Sequence, residues 1–548
     1  MKNSIKTLTL CFILFSASQL AFSQTVTQEW VAKYSGPLLG FSFCQEMVID
    51  SVGNVHIVGT SKGMNTDYDI ITIKYNSNGV LLWDARYNGN NNTYDVATDI
   101  EIDRNGNLYV TGLIQDTNGR KLVTIKYDND GIQQWITTYD TGSIGNSFKI
   151  KTCNSGNIYI SGDFRDLSEK QKLITLKYNS NGNLEWSKIF DRTNNNGQNS
   201  FGDIDLDKSG NVYITSTSNT GLYDYNATTI KYDPFGNIAW VVDYDNPLFY
   251  LNISKEIKID KYNNVFITGW TDFNNENTNF FTIKYDSNGV NQWICLYDKT
   301  FERNERAFNL MIDTNGNAYV IGESWSKESY YDIVTIRYGQ TGNENWVNKY
   351  STMKDQSEWP TGITIDKNND VYVIGTVGNI SEDNRDFVTI KYSSDGNLKW
   401  IKKFTNNDNI WGKPKKILTD EVGNIFIAGN IDSNGSSETS NIVLIKYSQS
   451  VGIQNLSNEI PNKFLLMQNY PNPFNPSTTI KFDIQKQGFV TLKVYDMLGK
   501  EVSTLVNESL SPGTYKADFT AEGLTSGVYF YRLITDDFSD VKRMLLIK

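Results

Sequence analysis

The side chains able to do acid–base, nucleophilic or metal chemistry are few in this sequence. His56 is the only histidine in 548 residues. A Ser-His-Asp or Cys-His centre would have to use it. It stands, however, where comparable stretches carry Tyr109, Tyr213 and Tyr319, so it reads as a packing substitution on a strand. Zinc needs clustered His and Cys, and no such cluster is present; no catalytic residue, metal or cofactor is assigned. Turns such as Asp103-Arg-Asn-Gly-Asn107 present oxygens at alternate positions, faintly like a calcium loop, but they lack the spacing and bidentate Glu of an EF-hand. A turn opened by Asp, with Gly in the left-handed position, accounts for the same residues without a metal. Glu323 and Asp272 are the kind of carboxylates a polysaccharide-cleaving enzyme would use, but no facing pair can be placed from sequence.

Two further sets of residues could bind rather than react. Lys74, Lys126, Lys177, Lys231, Lys284, Arg337, Lys391 and Lys446 recur once per repeat and would make a ring of cations, for which pairing with nearby Asp residues is the expected use. The aromatics Trp270, Trp325, Trp359, Trp411, Tyr223, Tyr225, Tyr250 and Tyr331 lie in variable connections amid Asn and Asp. Exposed Trp and Tyr in that setting suit stacking on sugars or anchoring a protein partner. The same side chains could fold back on the scaffold, and both readings stand at this point.

What must position these residues is a repeat. A Thr/Leu-Ile/Leu-Lys/Arg-Tyr tetrad starts at Thr72, Thr124, Thr175, Thr229, Thr282, Thr335, Thr389 and Leu444. In the first seven, a Trp follows 11 residues after the first tetrad residue (Trp83 to Trp400). Each unit of about 53 residues holds four short alternating segments, the period of strands and not of helices. Four strands per unit at this period predict a propeller blade. Trp30 has no tetrad before it and Leu444 has no Trp after it. An N-terminal strand that completes the last blade resolves both and removes exposed sheet edges. The expected fold is therefore all-β, an eight-bladed β-propeller over residues 24–447, with seven blades as the alternative. In such a blade the nearly constant a–b and c–d turns share one end, and the variable b–c and d–a connections share the other, where function usually resides.

The stretch Ile100-Glu-Ile-Asp-Arg-Asn-Gly-Asn-Leu-Tyr-Val-Thr-Gly112, with its repeats, resembles the bacterial β-propeller repeat family often named seven-bladed. That resemblance spans roughly residues 28–448 and implies the fold without naming a ligand.

At the N-terminus, Lys2 and Lys6, the apolar run Leu8 to Phe15 and the small-x-small Ala21-Phe22-Ser23 predict a signal peptide over residues 1–23, cleaved between Ser23 and Gln24. No stretch approaches the roughly 20 apolar residues of a transmembrane helix. Removal of the leader leaves Cys44, Cys153 and Cys295, an odd number at unrelated repeat positions, expected as buried small hydrophobes. A formal net charge of −11 opposes binding to nucleic acid or anionic lipid.

After a linker at 448–463, residues 464–548 alternate like a small Ig-like β-sandwich. Pro471-Asn472-Pro473, Tyr495 with Gly499, Gly527 with Tyr529, and the basic-apolar end around Lys542-Arg543 closely resemble the C-terminal sorting domain of the type IX (Por) secretion system. The resemblance implies that the type IX machinery is a partner, and that the protein passes through the periplasm to the outer cell surface or the medium. The expected function is a non-enzymatic, secreted or surface-displayed propeller binding a glycan or protein through its variable loops. An extracellular polysaccharide lyase or hydrolase is the alternative, and a purely structural surface protein is the third reading.

Overall fold

The computed structural model describes residues 25–547, apart from 40, 90–91, 117–118, 141–146, 154, 167, 169, 193–197, 222–223, 247–250, 274–276, 299–303, 328–329, 353–355, 380–384, 406–411, 433–438, 451–452, 458 and 522–523. The expected signal peptide and the Ser23–Gln24 cleavage site lie outside the described residues. Every regular element among them is a β-strand. The chain divides after Ser448 into two units, each described by itself.

In the first unit the repeat folds into four-stranded antiparallel sheets of one design. In chain order, sheets 1 to 7 cover residues 42–87, 96–140, 148–190, 199–244, 251–297, 305–350 and 356–404. Their strands, a to d, lie side by side in sequence order. Sheet 8 takes strands a to c from Gly412–Thr419, Ile425–Asp432 and Ser440–Ser450, and its fourth strand is Thr25–Tyr34 from the N-terminus. A single parallel bridge, Tyr225 to Leu251, joins sheets 4 and 5.

The tetrad ends strand c and the Trp lies on strand d, as its spacing implies. Strands b and c are buried almost throughout, whereas strand d alternates exposed and half-buried residues. The core consists of apolar clusters between successive sheets. Val58 and Ile70 of sheet 1 meet Ile100 and Val110 of sheet 2. Met47, Ile57 and Ile71 of sheet 1 meet Phe426 and Leu444 of sheet 8, with Trp30 packed alongside. This is a propeller-like architecture: each sheet buries both faces against its neighbours, which lets the strands read as continuous Val and Ile runs.

The cysteines depart from expectation. Only Cys44 is fully buried; Cys153 and Cys295 are half-buried. Cys295 belongs to a d strand, where one side faces outward, and its Sγ donates to the Gly342 carbonyl at 2.9 Å.

The second unit is two four-stranded sheets enclosing one core that includes Phe474, Phe482, Leu492, Tyr531 and Met544. Residues 448–463 are not wholly a linker, because Ile453–Ser457 forms an edge strand against Gly513–Thr520. Its sequence, Ile-Gln-Asn-Leu-Ser, leaves little apolar alternation to read. Glu501–Leu510, too polar to stand out as a strand, forms the edge of the other sheet.

Candidate functional site

The constant turns are saturated with internal bonds. In the turn at Asp103, Oδ1 accepts from the Asn105 and Asn107 backbone amides, while Oδ2 accepts from the Asn107 side chain and the Tyr109 hydroxyl. The pattern recurs at Asp207 with Tyr213 and at Asp313 with Tyr319. In sheet 1 His56 takes the tyrosine position, and its Nε2 lies 3.5 Å from Asp50 Oδ2. His56 is buried against Trp83, and its Nδ1 has no hydrogen-bond partner among the described residues. Burial lowers its pKa, with Asp50 opposing that shift.

The repeated Lys and Trp have a shared use that differs from the expected pairing with Asp. Lys231 Nζ and Trp240 Nε1 both donate to one carbonyl, that of Ser287 in the c–d turn of the next sheet, at 3.0 and 3.1 Å. Lys74 and Trp83 share the Asn129 carbonyl, Lys177 and Trp186 that of Pro234, and Lys284 and Trp293 that of Gln340. Lys446 and Trp30, which are 416 residues apart in sequence, share the Ser77 carbonyl at 3.0 and 3.2 Å. The cation also lies over the strand b ring, as Lys231 does over Tyr213 at 5.0 Å. A carbonyl has two lone pairs, so one turn oxygen can accept both donors. Three of these lysines also meet an acid: Lys391 meets Asp370 at 2.8 Å, Lys177 meets Glu185 at 2.9 Å and Lys74 meets Asp50 at 3.8 Å.

The a strands are also bound internally. Asp203 Oδ2 accepts from the Ile257 amide, and Asp203 pairs with Lys149 at 2.8 Å and Lys258 at 3.2 Å. Glu256 accepts from the Leu310 amide and pairs with Lys258. Asp99 accepts from Ile150; burial first, then Glu46 and Glu101, push its carboxyl up to about 7 against the pull of Lys151.

The opposite end, with the b–c and d–a connections, is built differently. Some of its acids are withdrawn: Asp69, Asp332 and Glu358 are fully buried, and Glu323 and Asp272 nearly so, whereas Asp67, Asp140, Asp191, Asp245 and Asp298 are exposed. Asp69 pairs with Arg86 at 2.9 Å, and Asp332 with Lys349 at 2.6 Å. Burial raises Glu323 to about 7, with Arg306 opposing; the closest approach of those two side chains is 3.9 Å. Cations with aromatic rings remain accessible. Between sheets 5 and 6, Trp270 has Lys255 Nζ 4.9 Å and the Arg306 guanidinium 5.8 Å from its ring centre, with Phe308 edge-on. In sheet 7, Arg385 lies over Trp359 at 4.3 Å. In sheet 6, Trp325 pairs across strands with Tyr331, both half-buried. In sheet 1, Lys62 lies over Phe41 and Tyr68, and Tyr68 meets Phe43 and Tyr94. This last group was not legible as a site because its aromatics stand near ordinary strand ends.

Of the expected aromatics, the structure therefore sets Trp270 and Trp359 under cations and places Trp325 beside Tyr331. It gives Tyr225 a structural task, since its carbonyl accepts from Asn252 Nδ2 at 3.3 Å beside the bridge to Leu251. Trp411, Tyr223 and Tyr250 lie outside the described residues.

In the second unit, Pro471, Asn472 and Pro473 are exposed, and Asn472 Oδ1 accepts from the Leu545 amide at 2.9 Å. Gly499 closes the turn after Tyr495, whose next residue Asp496 accepts from Leu498 and Lys500. Gly527 opens the strand on which the Tyr529 hydroxyl donates back to the Thr525 carbonyl at 2.8 Å. Lys542 and Arg543 lie on the last strand, with Arg543 exposed. Residues 468–548 match the family described as secretion system C-terminal sorting domain. The second unit is a secretion sorting domain. It marks the chain for export by the type IX route to the cell surface or beyond. Among the described residues no helix is long and apolar enough to cross a membrane.

For the first unit the similarities are remote. An uncharacterized WD repeat-containing protein of Acanthamoeba polyphaga mimivirus is 24% identical over 321 residues, 53% of this chain and 19% of that protein. The chain thus spans about a fifth of the length of this curated relative. Similar solved structures include the β-propeller domain of the Trilobed protease from Pyrococcus furiosus (10% identity, 67% of this chain and 97% of that one, TM-score 0.41). The WD40 domain of SCAP from fission yeast (10%, 78% and 95%, 0.41) and a PL25 ulvan lyase (11%, 62% and 90%, 0.38) also match.

Proposed function

We propose that the protein is an exported, non-enzymatic β-propeller that binds an extracellular glycan or protein through the end carrying its b–c and d–a connections. In this reading the sheets are eight blades of a closed ring, with Thr25–Tyr34 as the last blade's outer strand. The observation that carries the reading is the difference between the two ends. At the turn end, each Asp carboxylate and each shared carbonyl already has its partners. At the other end, Trp, Tyr, Lys and Arg are accessible in connections that share little sequence, beside buried acids such as Asp69 and Glu323 and exposed ones such as Asp67 and Asp245, the composition of a recognition surface.

The test is a glycan array with a polysaccharide digestion assay on the exported protein, repeated with Trp270→Ala, Trp325→Ala and Trp359→Ala. Binding without turnover, lost by about thirtyfold or more in at least one variant of unchanged melting temperature, supports the reading. Affinity that falls only in proportion to stability would remove this end as a site. A second reading, a polysaccharide lyase or hydrolase, is favoured by one feature: Glu323, with its carboxyl raised to about 7 at the same end, suits a general acid. Cleavage products abolished by Glu323→Gln would establish that reading instead. Removal of residues 464–548 should leave a folded propeller inside a host that has the type IX machinery; its normal appearance outside would contradict the export role.

A further inference from the structure

The cations at the variable end have a property that the repeated lysines lack. Each repeated lysine with a mapped turn carbonyl is spent on it, as Lys231 is on Ser287. Arg306 and Arg385, in contrast, each bury an Nε that has no hydrogen-bond partner among the described residues. Both guanidinium groups are oriented by an indole, Arg306 near Trp270 and Arg385 over Trp359. A guanidinium held over a ring keeps its N–H edge available for a planar anion, and that fork matches a carboxylate or sulfate. Among the described residues the acid that approaches Arg306 is Glu323, 3.9 Å away, with its carboxyl pushed up to about 7 by burial.

Further positive charge accompanies these arginines. Lys255 and Lys413 are exposed but crowded by protein. Partial desolvation lowers the pKa of both. The positive charges of Lys149 and Arg306 add to the effect on Lys255, and those of Lys415 and Arg385 to the effect on Lys413. Lys149 has Asp203 as its partner, but Lys255 and Lys413 have no ion pair among the described residues, and such cations favour a ligand that brings negative charge. Here they are gathered in a chain whose net charge is −11, so the remainder of the surface repels anions that do not fit.

We infer that this end binds an acidic polysaccharide, with Arg306 and Lys255 between sheets 5 and 6, and Arg385 and Lys413 across sheets 7 and 8, receiving successive carboxylate or sulfate groups. The inference rests on the proposed binding role and names its ligand class. A polymer is favoured over a single anion because the cations recur on successive sheets. A glycan is favoured over an acidic peptide because Trp325 and Tyr331, on the intervening sheet, offer ring faces for sugar stacking. Trp270 and Trp359 then serve as platforms that orient cations, not as the stacking surfaces themselves.

The experiment measures binding of the full exported chain to polygalacturonate, dextran sulfate, neutral pullulan and polyglutamate at ~0.15 M salt. The variants are Arg306→Gln, Arg385→Gln, the double variant and Lys208→Gln, the last in an a–b turn at the other end, with melting temperature recorded for each. The expected result is binding to one or both acidic polysaccharides and not to pullulan, weakened about tenfold or more in the double variant and unchanged in Lys208→Gln. Polygalacturonate against dextran sulfate distinguishes carboxylate from sulfate as the group read. Acidic-polysaccharide binding untouched by the double variant would overturn the assignment of the site. Polyglutamate binding as tightly through the same arginines would overturn the choice of a glycan. If the double variant does not fold, the single variants and Lys255→Gln carry the comparison. Pullulan bound with Trp325→Ala sensitivity would overturn the anion assignment and leave the binding face standing, whereas binding to none of the four would remove the anion assignment and count against the face.

Discussion

At the scale of single residues, the repeat leaves traces where it is broken. His56 occupies a slot in which Tyr109, Tyr213, Tyr319 and Tyr372 donate a hydroxyl to the turn Asp. Because burial lowers the histidine pKa in the folded state, the unfolded chain binds its proton more readily. This residue therefore costs stability as pH falls below about 6.5. His56→Tyr should restore the hydroxyl bond, raise stability by about 1 kcal/mol at neutral pH, and widen that gain at pH 5; thermal melts at the two pH values check it. Glu358 acts in the opposite sense. Burial, with the neighbouring Asp332 carboxylate, pushes its carboxyl up to about 7, so the folded state holds a proton that the unfolded state releases near 4.5. Its contribution is intact below about pH 4.5, declines as pH rises to 7, and is then constant. Glu358→Gln keeps an oxygen for Thr352 and removes the negative charge beside Asp332. It should raise the melting temperature at pH 8 by a few degrees and change it little at pH 4.5; equal shifts at both would contradict the assignment.

At the scale of elements, the fixed length of every c–d hairpin has a physical cause. The turn after strand c must bring one carbonyl to the preceding sheet's Lys and Trp, and its glycine must lie flat against that Trp. Gly289 has φ +81°, and a Cβ there would come within 2.9 Å of Trp240. Gly423, in an a–b turn, has φ +89° but open space around a Cβ. Gly423→Ala should cost only left-handed strain, about 1 kcal/mol, and Gly289→Ala clearly more, about 2–3 kcal/mol once the indole must move. Denaturant midpoints of the two variants decide it. The regular part was legible because spacing alone encodes it: the tetrads, the Trp and the Asp-x-x-Gly turns gave the strands and the unpaired ends of the series. The binding end was legible only as a region. The partners of Trp270 come from Lys255 on its own sheet and Arg306 on the next, a juxtaposition made by packing between sheets that no spacing records. Of the ring of lysines, Lys74 and Lys391 do meet an Asp, but the carbonyls that the lysines share with Trp went unread, because a backbone carbonyl leaves no mark in sequence.

At the scale of the whole molecule, the pairing of Thr25–Tyr34 with Ser440–Ser450 ties the first described strand to the last of the repeat. Deletion of Gln28 to Tyr34 removes Trp30 and leaves the edge of strand c bare, so the truncated protein should melt several degrees lower and aggregate on heating. Calorimetry and light scattering test this, and an unchanged melt would mean that the strand is dispensable. The same pairing fixes where the chain leaves the repeat. In the other sheets strand c runs through a turn into strand d, but in sheet 8 that turn is missing. Tyr447 lies opposite Ile425, at the turn end of the sheet, and the chain departs there for the sorting domain. The chain therefore leaves its last sheet among turns whose donors and acceptors are already matched, and the variable connections are spared from carrying the exit.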